Sequence, residues 1–359
     1  MKPTRTEAAS DPFAVLKMMV EVAAGNLAGF VSPPETTGIA AEFEQVPAEV
    51  DASVGLIIES SGSTGRPKRI ELSLSALMAS AEASASTLGG HGQWLLALPA
   101  NYVAGANVLF RSVIADTQPV IMNSRVPFSA EGFKNSSNLM QHPIRYTSLV
   151  PTQLDRLAAA TTDPGVLAAL RSFQAILVGG QLPNRSSMEH LKSLGVNVVE
   201  SYGMAETCGG CVYDGVPLEG VELEIVDGKV VVSGPVLANG LGQAFATQDL
   251  AEIVDGKLKV LGRSDRVIIS GGKKVSLDDV EQRVLQLDSV RQAMAVAVAS
   301  KWGQSAALLI TGPKPLELAE LNAVLEGPAK AIAFRQLDEL PRLESGKPDY
   351  QAAKQLLAD

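Results

Sequence analysis

The segment with the clearest capacity for chemistry is a loop rich in glycine, serine and threonine that ends in a lysine. It runs from Ser60 to Lys68 as SSGSTGRPK, between two strand-like runs at 54–58 and 69–72. The backbone N–H groups and hydroxyls of such a loop can surround one anion, and its glycines allow close approach. A lysine adds a mobile positive charge. The loop therefore predicts a polyphosphate cradle, with an exposed Ser/Gly turn as the alternative, and it does not match the Walker A pattern.

A second segment, 199–207, takes an apolar strand into a loop that carries Tyr202, Gly203 and Glu206. An aromatic ring can stack on a nucleobase, and a carboxylate can hold Mg²⁺ beside phosphates. An ordinary exit from a strand is the alternative. Two residues further on, the spacing of Cys208 and Cys211 could indicate redox chemistry or half a zinc site, but small residues packed beside the loop are the favoured interpretation.

Two further polar positions could complete a nucleotide site. Asp249 can accept hydrogen bonds from both hydroxyls of a ribose, and Arg263, fourteen residues later, can donate to them. Lys347 follows in a turn-like stretch near the C-terminus. Taken singly, each of these side chains is more often an ordinary surface residue.

Composition narrows the classes of partner. The 359 residues are 46% apolar and 19% charged, with a net charge of −9 and no basic run. Nucleic acid and anionic membranes both require clustered lysine and arginine, so neither is expected as a partner. No apolar stretch approaches the length of a membrane span, and the N-terminus lacks the pattern of a signal peptide. Two cysteines form no disulfide framework, so we expect a cytoplasmic protein, and a homodimer stays an open alternative.

The elements that must position these residues follow an α/β pattern. A helix is predicted from Pro12 to about Ala28, followed by a linker from Ser32 to Glu49. Strands and helices then alternate up to about residue 194, which is typical of a doubly wound parallel sheet. The predicted strands are 94–98, 119–122, 146–150 and 175–178, and the predicted helices are 152–160, 184–194 and one capped by Ser73 that runs through Ala85.

Beyond residue 215 the pattern becomes rich in β-strands. Alternating runs flank Asp227-Gly228, which predicts a hairpin, and a similar string recurs at 253–260. The region after Asp265 alternates strand and helix, with strands at 267–270, 292–299 and 306–311 and a helix at 277–287. We therefore expect a large α/β domain with a β-rich end at 1–263 and a small mobile α+β domain at 264–359, with a hinge near Asp265.

In this order the motifs resemble those of the superfamily of adenylate-forming acyl-CoA ligases, and the resemblance runs from about residue 54 to 350. Three further strings, at 98–105, 147–154 and 202–208, resemble the o-succinylbenzoate–CoA ligases of menaquinone biosynthesis. The resemblance implies ATP, Mg²⁺ and coenzyme A as cofactor and co-substrates, and a small carboxylic acid as substrate.

The resemblance also implies roles for individual residues. Glu206 would hold Mg²⁺, Lys347 would be the catalytic lysine of the adenylation step, and Asp249 and Arg263 would bind the ribose. The phosphates of ATP would be held by Ser61, Gly62, Ser63, Thr64, Gly65 and Lys68. The adenine would lie against Gly179, Gly180, Tyr202 and Gly203. The loop presented during the CoA step would be Gly271, Gly272 and Lys273, with Asp265 as the hinge.

The acid is the open point of this interpretation. A succinylbenzoate has a second carboxylate, so its pocket needs polar or cationic groups beside apolar walls. Asn101, Tyr102 and Arg111 are the candidates by position. A ligase for another acid is the first alternative. A nucleotide-binding module that does not ligate is the second, because Ala205 and Gln248 depart from the residues usual in relatives.

Overall fold

The computed structural model describes residues 1–33, 46–61, 67–124, 126–301, 303–343 and 347–357. The chain forms two compact units, one of residues 1–223 with 232–245 and the other of residues 224–231 with 246–359. The architecture is mixed α/β, as the sequence predicts. The domain boundary at residue 263 stays a prediction.

The first sheet of unit 1 has the strand order β3-β1-β2-β4-β5. Its strands β1, β2 and β4 run parallel, whereas β3 and β5 are antiparallel to their neighbours at the two edges. The elements are β1 (Lys2–Ala8), α1 (Pro12–Ala23), β2 (Ala28–Ser32), β3 (Glu49–Val50), β4 (Val54–Ser61), β5 (Pro67–Ser73) and α2 (Leu74–Leu88).

The prediction for the N-terminal helix is wrong at its end. The helix α1 stops at Ala23, and Gly25 adopts a left-handed φ of 77°, which a residue with a side chain rarely does. The chain then enters β2 at Ala28, where the sequence analysis places the end of the helix. By contrast, Ser73 caps α2 as predicted, since its hydroxyl accepts a hydrogen bond of 3.0 Å from the Ala76 N–H.

The second sheet of unit 1 has the order β12-β11-β10-β9-β8-β6-β7. The strands from β7 to β10 are parallel, which confirms the predicted strand–helix alternation, and β11 and β12 extend the sheet antiparallel. The elements are β6 (Gln93–Leu96), α3 (Val103–Ile114), β7 (Val120–Ile121), α4 (Ala130–Ser137), β8 (Arg145–Leu149), α5 (Pro151–Ala159), α6 (Pro164–Arg171), β9 (Ala175–Gly179), α7 (Arg185–Ser193), β10 (Val198–Met204), β11 (Gly209–Tyr213) and β12 (Val216–Pro217).

A third sheet, with the order β13-β14-β15-β16, consists of the two predicted hairpins. Both tight turns have positive φ at the Asp and the Gly, with 50° and 76° at Asp227-Gly228 and 51° and 75° at Asp255-Gly256. This conformation matches the twist of the flanking strands, which explains the Asp-Gly sequence. The strands are β13 (Glu222–Val226), β14 (Lys229–Ser233), β15 (Ala244–Val254) and β16 (Lys257–Arg263).

The fourth sheet lies wholly in unit 2 and has helices packed on both of its faces. Alternate residues of one strand point to opposite faces, so Ala295 packs in the cluster with Val280 and Val284 of one helix, and Met294 packs in the cluster with Ala353 of another. The elements are β17 (Val267–Ser270), β18 (Lys273–Ser276), α8 (Leu277–Val284), β19 (Gln292–Ser300), β20 (Gly303–Thr311), α9 (Leu318–Asn322), β21 (Ala333–Gln336) and α10 (Tyr350–Leu356).

Candidate active site

The two described ends of the predicted phosphate loop belong to the paired strands β4 and β5. Ser60 pairs with Lys68 and Ser61 pairs with Pro67, so these two strands deliver both ends of the loop to one place. Four of the predicted phosphate ligands, Gly62, Ser63, Thr64 and Gly65, lie outside the described residues. Their predicted role stays a prediction.

The lysine of this hairpin and the predicted metal carboxylate lie together. Lys68 Nζ is 3.5 Å from Glu206 Oε1, although the two residues are far apart in sequence. The Lys68 side chain is 59% exposed and that of Glu206 is 17% exposed, so this pair contributes at most about 1 kcal/mol to stability. The contact therefore matters less for stability than for geometry. It shows that a cation and an anion lie together where the sequence predicts that a charged ligand binds.

Glu206 is held by a rigid local turn. It lies in a 3-10 helix, Ala205–Thr207, that follows β10, and the Thr207 hydroxyl closes this turn through backbone hydrogen bonds. The next residue, Cys208, has a left-handed φ of 55°, and its carbonyl accepts hydrogen bonds from Asn107 Nδ2 at 2.8 Å and Ser80 Oγ at 3.3 Å. Helices α2 and α3 thereby fix the position of Glu206.

The sequence analysis did not single out Ser80 or Asn107. A signal for Asn107 was nevertheless present, because two polar residues, Asn107 and Arg111, stand one helical turn apart within the otherwise apolar run 106–111. Polar side chains inside a buried helix require partners or a ligand.

The glycines predicted to border the adenine have steric reasons to be glycine. A Cβ on Gly203 would lie 1.9 Å from the Gly209 carbonyl oxygen, and one on Gly179 would lie 2.5 Å from the Ser201 oxygen. Gly180 has a φ of +84° and open space beside it. Gly179 ends β9 opposite Ser201 of β10, next to Tyr202. All of these residues therefore line the carboxyl edge of the parallel strands, where open α/β sheets bind ligands.

The start of α3 carries the first two predicted contacts to the acid. Tyr102 is the residue before the helix, and Asn101 precedes it. Asn101 is only 6% exposed, and within the described part of the chain its Oδ1 has no hydrogen-bond partner. A buried amide oxygen without a partner costs roughly 1–3 kcal/mol, so a ligand donor at this atom would recover that energy.

Arg111 lies deeper along the same helix, about 13 Å from Tyr102 along the helix axis. It is 6% exposed, and its guanidinium carbon is 5.2 Å from the centre of the Trp94 ring. Its Nε has no hydrogen-bond partner, and among the described residues no carboxylate lies within ion-pair distance of it. Burial of a charge without a counter-ion is strongly unfavourable, so this arginine is the strongest indication of an anionic ligand in unit 1.

A small cavity adjoins this guanidinium. The Tyr146 hydroxyl donates to the carbonyls of Leu88 and Gly90 at 3.1 and 2.9 Å, and burial raises the pKa of Tyr146 to about 12. This phenol therefore stays neutral beside Arg111. The walls of the cavity are small or aromatic, namely Ala81, Ala85, Gly90, His91, Trp94 and Tyr146. The cavity has a volume of about 10 Å³, which is room for about one water molecule.

In unit 2 the two predicted ribose residues lie together with the predicted hinge. Asp249 on β15 pairs in register with Arg263 on β16, with 3.5 Å between Oδ1 and Nη1. Arg263 also donates to both carboxylate oxygens of Asp265, at 2.9 Å from Nε and 2.7 Å from Nη2. This hydrogen bonding holds the pKa of Asp265 below its ordinary value. The three charged residues thus form one cluster in which Arg263 is central.

The remaining predicted residues of unit 2 lie on turns. Gly271 and Gly272 connect β17 to β18 with φ values of 56° and 77°, and Lys273 is the first residue of β18. Lys347 is exposed, and its carbonyl oxygen accepts a hydrogen bond of 2.9 Å from the Leu343 N–H. Both lysines are therefore accessible on unit 2.

The two cysteines are structural. Both are free and fully buried, and burial raises the pKa of the Cys208 thiol to about 12 and that of Cys211 to about 11. Thiols that stay protonated at neutral pH are poor nucleophiles and poor metal ligands. This agrees with the favoured interpretation that the pair packs beside the loop.

Over the described ranges, no three His, Cys, Asp or Glu side chains are grouped so that they could hold a metal ion. Mg²⁺ commonly binds through one or two carboxylates together with substrate phosphates, so Glu206 fits an ion that arrives with ATP. None of the helices within these ranges has the length and apolarity needed to cross a membrane.

Comparison with known protein families identifies the chain. Residues 9–241 match the family model described as AMP-binding enzyme. The chain belongs to the AMP-binding enzyme family. The match covers the phosphate-loop hairpin, the second sheet of unit 1 and the Glu206 turn, and thus the elements that carry the unit 1 part of the candidate site.

Individual relatives and solved structures are consistent with this assignment. The chain is 38% identical over 331 residues, 86% of both chains, to a probable 2-succinylbenzoate–CoA ligase of Mycobacterium tuberculosis. It is 28% identical to the 2-succinylbenzoate–CoA ligase of Lactococcus lactis, over 89% of this chain and 73% of that protein. The o-succinylbenzoate CoA synthetase of Bacillus subtilis, solved with the acyl-adenylate intermediate, is similar with a TM-score of 0.73 and 26% identity, covering 94% of this chain and 80% of that one.

Proposed function

We propose that the chain is an ATP-dependent 2-succinylbenzoate–CoA ligase that acts in menaquinone biosynthesis. The similarity to 2-succinylbenzoate–CoA ligases is the observation that carries both the reaction class and the choice of acid, and we assign the buried Arg111, which has no carboxylate partner among the described residues, as the counter-charge of the second carboxylate. The substrate has two carboxylates, of which one is activated while the other needs a counter-charge. Asn101 and Tyr102 supply polar groups at the start of α3, and Arg111 lies about 13 Å further along the same helix.

In the first half-reaction a carboxylate oxygen of the acid attacks the α-phosphorus of ATP, and the bond from this phosphorus to the bridging oxygen of pyrophosphate breaks. Negative charge accumulates where the two anions meet, so the site must supply positive potential. We assign Lys68 and the loop at 61–65 to the phosphates that leave, and we assign to Lys347 the positive charge needed where the carboxylate meets the α-phosphate. Glu206 would hold Mg²⁺, which neutralises phosphate charge when it is bound.

In the second half-reaction the CoA thiol attacks the carbonyl carbon of the acyl-adenylate, and AMP leaves. Gly179, Gly180 and Tyr202 border the adenine, and Asp249 with Arg263 holds the ribose through both steps. We propose that the small domain, 264–359, turns about Asp265 between the steps, so that the loop at 271–273 replaces Lys347. We propose that the reaction takes place in the cytoplasm.

A panel of acids tests this proposal. Pyrophosphate release is measured with ATP and CoA in the presence of 2-succinylbenzoate, benzoate or a fatty acid, and the thioester product is identified by mass spectrometry. Turnover with 2-succinylbenzoate alone is the expected result. Turnover with another acid instead would show that the protein is a ligase for that acid. Binding of ATP without turnover of any acid would favour a nucleotide-binding module.

A further inference from the structure

A buried cluster of charges lies directly after the predicted hinge in unit 2. The Arg266 guanidinium contacts two carboxylates of α8, those of Asp278 and Glu281, and its side chain is only 13% exposed. Its Nη2 donates to Glu281 Oε1 at 2.5 Å. The Ala295 N–H of β19 donates to the same oxygen at 2.7 Å. Glu281 is thus held from two elements at once.

The cluster continues into the helix that follows Lys347. Tyr350, the first residue of α10, places its ring 3.7 Å from the Arg266 guanidinium carbon, and its hydroxyl donates to Glu281 Oε2 at 3.4 Å. A cation over an aromatic face and a shared carboxylate fix the ring from two directions. The segment after the hinge and the beginning of α10 are therefore joined through Glu281.

The turn that bears Lys347 is short and closed by backbone contacts. Arg342 and Pro348 form an antiparallel bridge, and the Asp349 N–H donates to the Pro341 oxygen at 3.0 Å. The Asp349 side chain then caps α10 by accepting from the Gln351 and Ala352 N–H groups. Lys347 thus lies three residues from Tyr350 and directly before Pro348 and Asp349, whose backbone contacts join them to Arg342 and Pro341.

We propose that Glu281 and Tyr350 are positioning residues for Lys347, because together they lock the start of α10 to the segment that carries Asp265 and Arg266. The inference rests on the proposed function only for the role of Lys347 in adenylation. The position of the lysine then follows the position of the hinge segment, and the two move as one body. Misplacement of a reacting group by about 1 Å can cost a hundredfold in rate, so such a lock has a direct effect on adenylation.

The charges of the cluster make its interactions dependent on pH. The Arg266 guanidinium faces the carboxylates of Asp278 and Glu281. The Tyr350 phenol also lies beside Glu281, and its pKa is raised chiefly by burial. Burial raises the pKa of Glu281 to about 7, with Asp278 adding to this effect and Arg266 opposing it. Protonation of Glu281 near neutral pH removes the ionic part of its hold on Arg266.

The test compares Glu281→Gln with Asp279→Asn, a matched control on the same helix. Asp279 forms an exposed pair with Arg283 at 2.8 Å and stands outside the cluster. Each half-reaction is assayed separately, as ATP–pyrophosphate exchange and as thioester formation from a supplied acyl-adenylate. We expect Glu281→Gln to lower kcat of exchange about tenfold at pH 8, with KM for ATP within about twofold and thioester formation within about threefold. The control should match the unchanged enzyme.

The pH profile separates positioning from a general loss of structure. Exchange by the unchanged enzyme should rise between pH 6 and 8, whereas Glu281→Gln should stay at the low-pH rate throughout. Tyr350→Phe, which keeps the ring over Arg266, should lose about two- to threefold, and Tyr350→Leu should lose as much as Glu281→Gln. Equal losses in both half-reactions, or an unchanged pH profile in Glu281→Gln, would overturn the inference.

Hydrogen exchange measured by mass spectrometry gives a readout that does not depend on activity. Deuterium uptake in residues 341–357 should increase in Glu281→Gln and in Tyr350→Leu, but not in Asp279→Asn. If deuterium uptake in this segment is unchanged in both Glu281→Gln and Tyr350→Leu, these residues do not hold α10 to the hinge segment, whether or not the enzyme shows turnover. Absence of pyrophosphate exchange in the unchanged protein with any acid would instead count against the proposed function alone.

Discussion

The two units treat their buried charges in opposite ways. In unit 1, Arg111 and Asn101 are buried with polar atoms that lack partners among the described residues. In unit 2, the buried Arg266 contacts Asp278 and Glu281. The α3 region of unit 1 thus keeps buried polar groups available, while the Arg266 cluster of unit 2 satisfies its charges internally.

This difference indicates a division of labour. A polar group without a partner gains the most from a ligand, so the unit 1 groups are suited to recognise a substrate. A buried charge that is already paired, as Arg266 is, has little to gain from a ligand but fixes the geometry of its neighbours. Variants that remove groups from each unit should therefore fail in different ways.

Loss of Lys347 should produce the largest effect. Lys347→Ala removes the positive charge proposed to lie between the two reacting anions, so ATP–pyrophosphate exchange should fall by about 10³-fold. Conversion of a supplied acyl-adenylate to the thioester should stay within a few-fold. Equal losses in both half-reactions would show that Lys347 is not specific to adenylation.

The stability of unit 2 should depend on Glu281 across a defined pH range. Its folded pKa of about 7 lies above its ordinary value of 4.5, so the folded state binds more protons between these values. The free energy of unfolding should therefore fall as pH rises from about 4.5 to 7, by up to about 3 kcal/mol. Denaturant titrations at several pH values should show this decrease in the free energy of unfolding for the unchanged protein but not for Glu281→Gln. Parallel slopes would contradict the assignment.

Replacement of Arg111 should separate recognition from stability. Arg111→Met removes a buried charge without a carboxylate partner, so the free energy of unfolding should increase by about 1–3 kcal/mol. The same change should raise KM for 2-succinylbenzoate by about 30- to 100-fold, because the second carboxylate loses its counter-charge. Benzoate, which lacks that carboxylate, serves as the control ligand, and its binding should not weaken. A destabilised variant with unchanged KM would argue for a structural role.

The smallest effect is expected at an exposed contact of unit 2. Gln248 accepts hydrogen bonds from Ser264 Oγ at 2.7 Å and Lys229 Nζ at 3.1 Å, but it is exposed to solvent. Gln248→Ala should change the free energy of unfolding by less than about 0.5 kcal/mol and each half-reaction by less than about twofold. A large loss of exchange activity would place Gln248 in the nucleotide site.

Local signals in the sequence were sufficient for most of the fold. The Asp-Gly turns, the Ser73 cap and the strand–helix alternation all depend on neighbours in sequence, and the structure contains each of them. Strand β1 was missed because Lys2–Ala8 has no apolar alternation, and its strand conformation depends on pairing with β2 and β3. Such pairing partners are distant in sequence.

The candidate site divides in the same way. Glu206, Asp249 and Lys347 stand in recognisable strings, so their types and order alone suggested a nucleotide site. Two hydrogen bonds join segments that are many residues apart, namely the one from Asn107 to the Cys208 carbonyl and the one from Tyr350 to Glu281. Only the folded chain shows which of these polar side chains meet.

The burial of the two cysteines has a consequence for the fate of a reactive intermediate. An acyl-adenylate is an acylating agent toward any thiolate within reach, and Cys208 lies two residues from Glu206. Because both thiols are buried and their pKa values are raised to about 12 and 11, they stay protonated and sequestered. Because the chain has only these two cysteines, no thiolate of the protein competes with the thiol of coenzyme A for the acyl group.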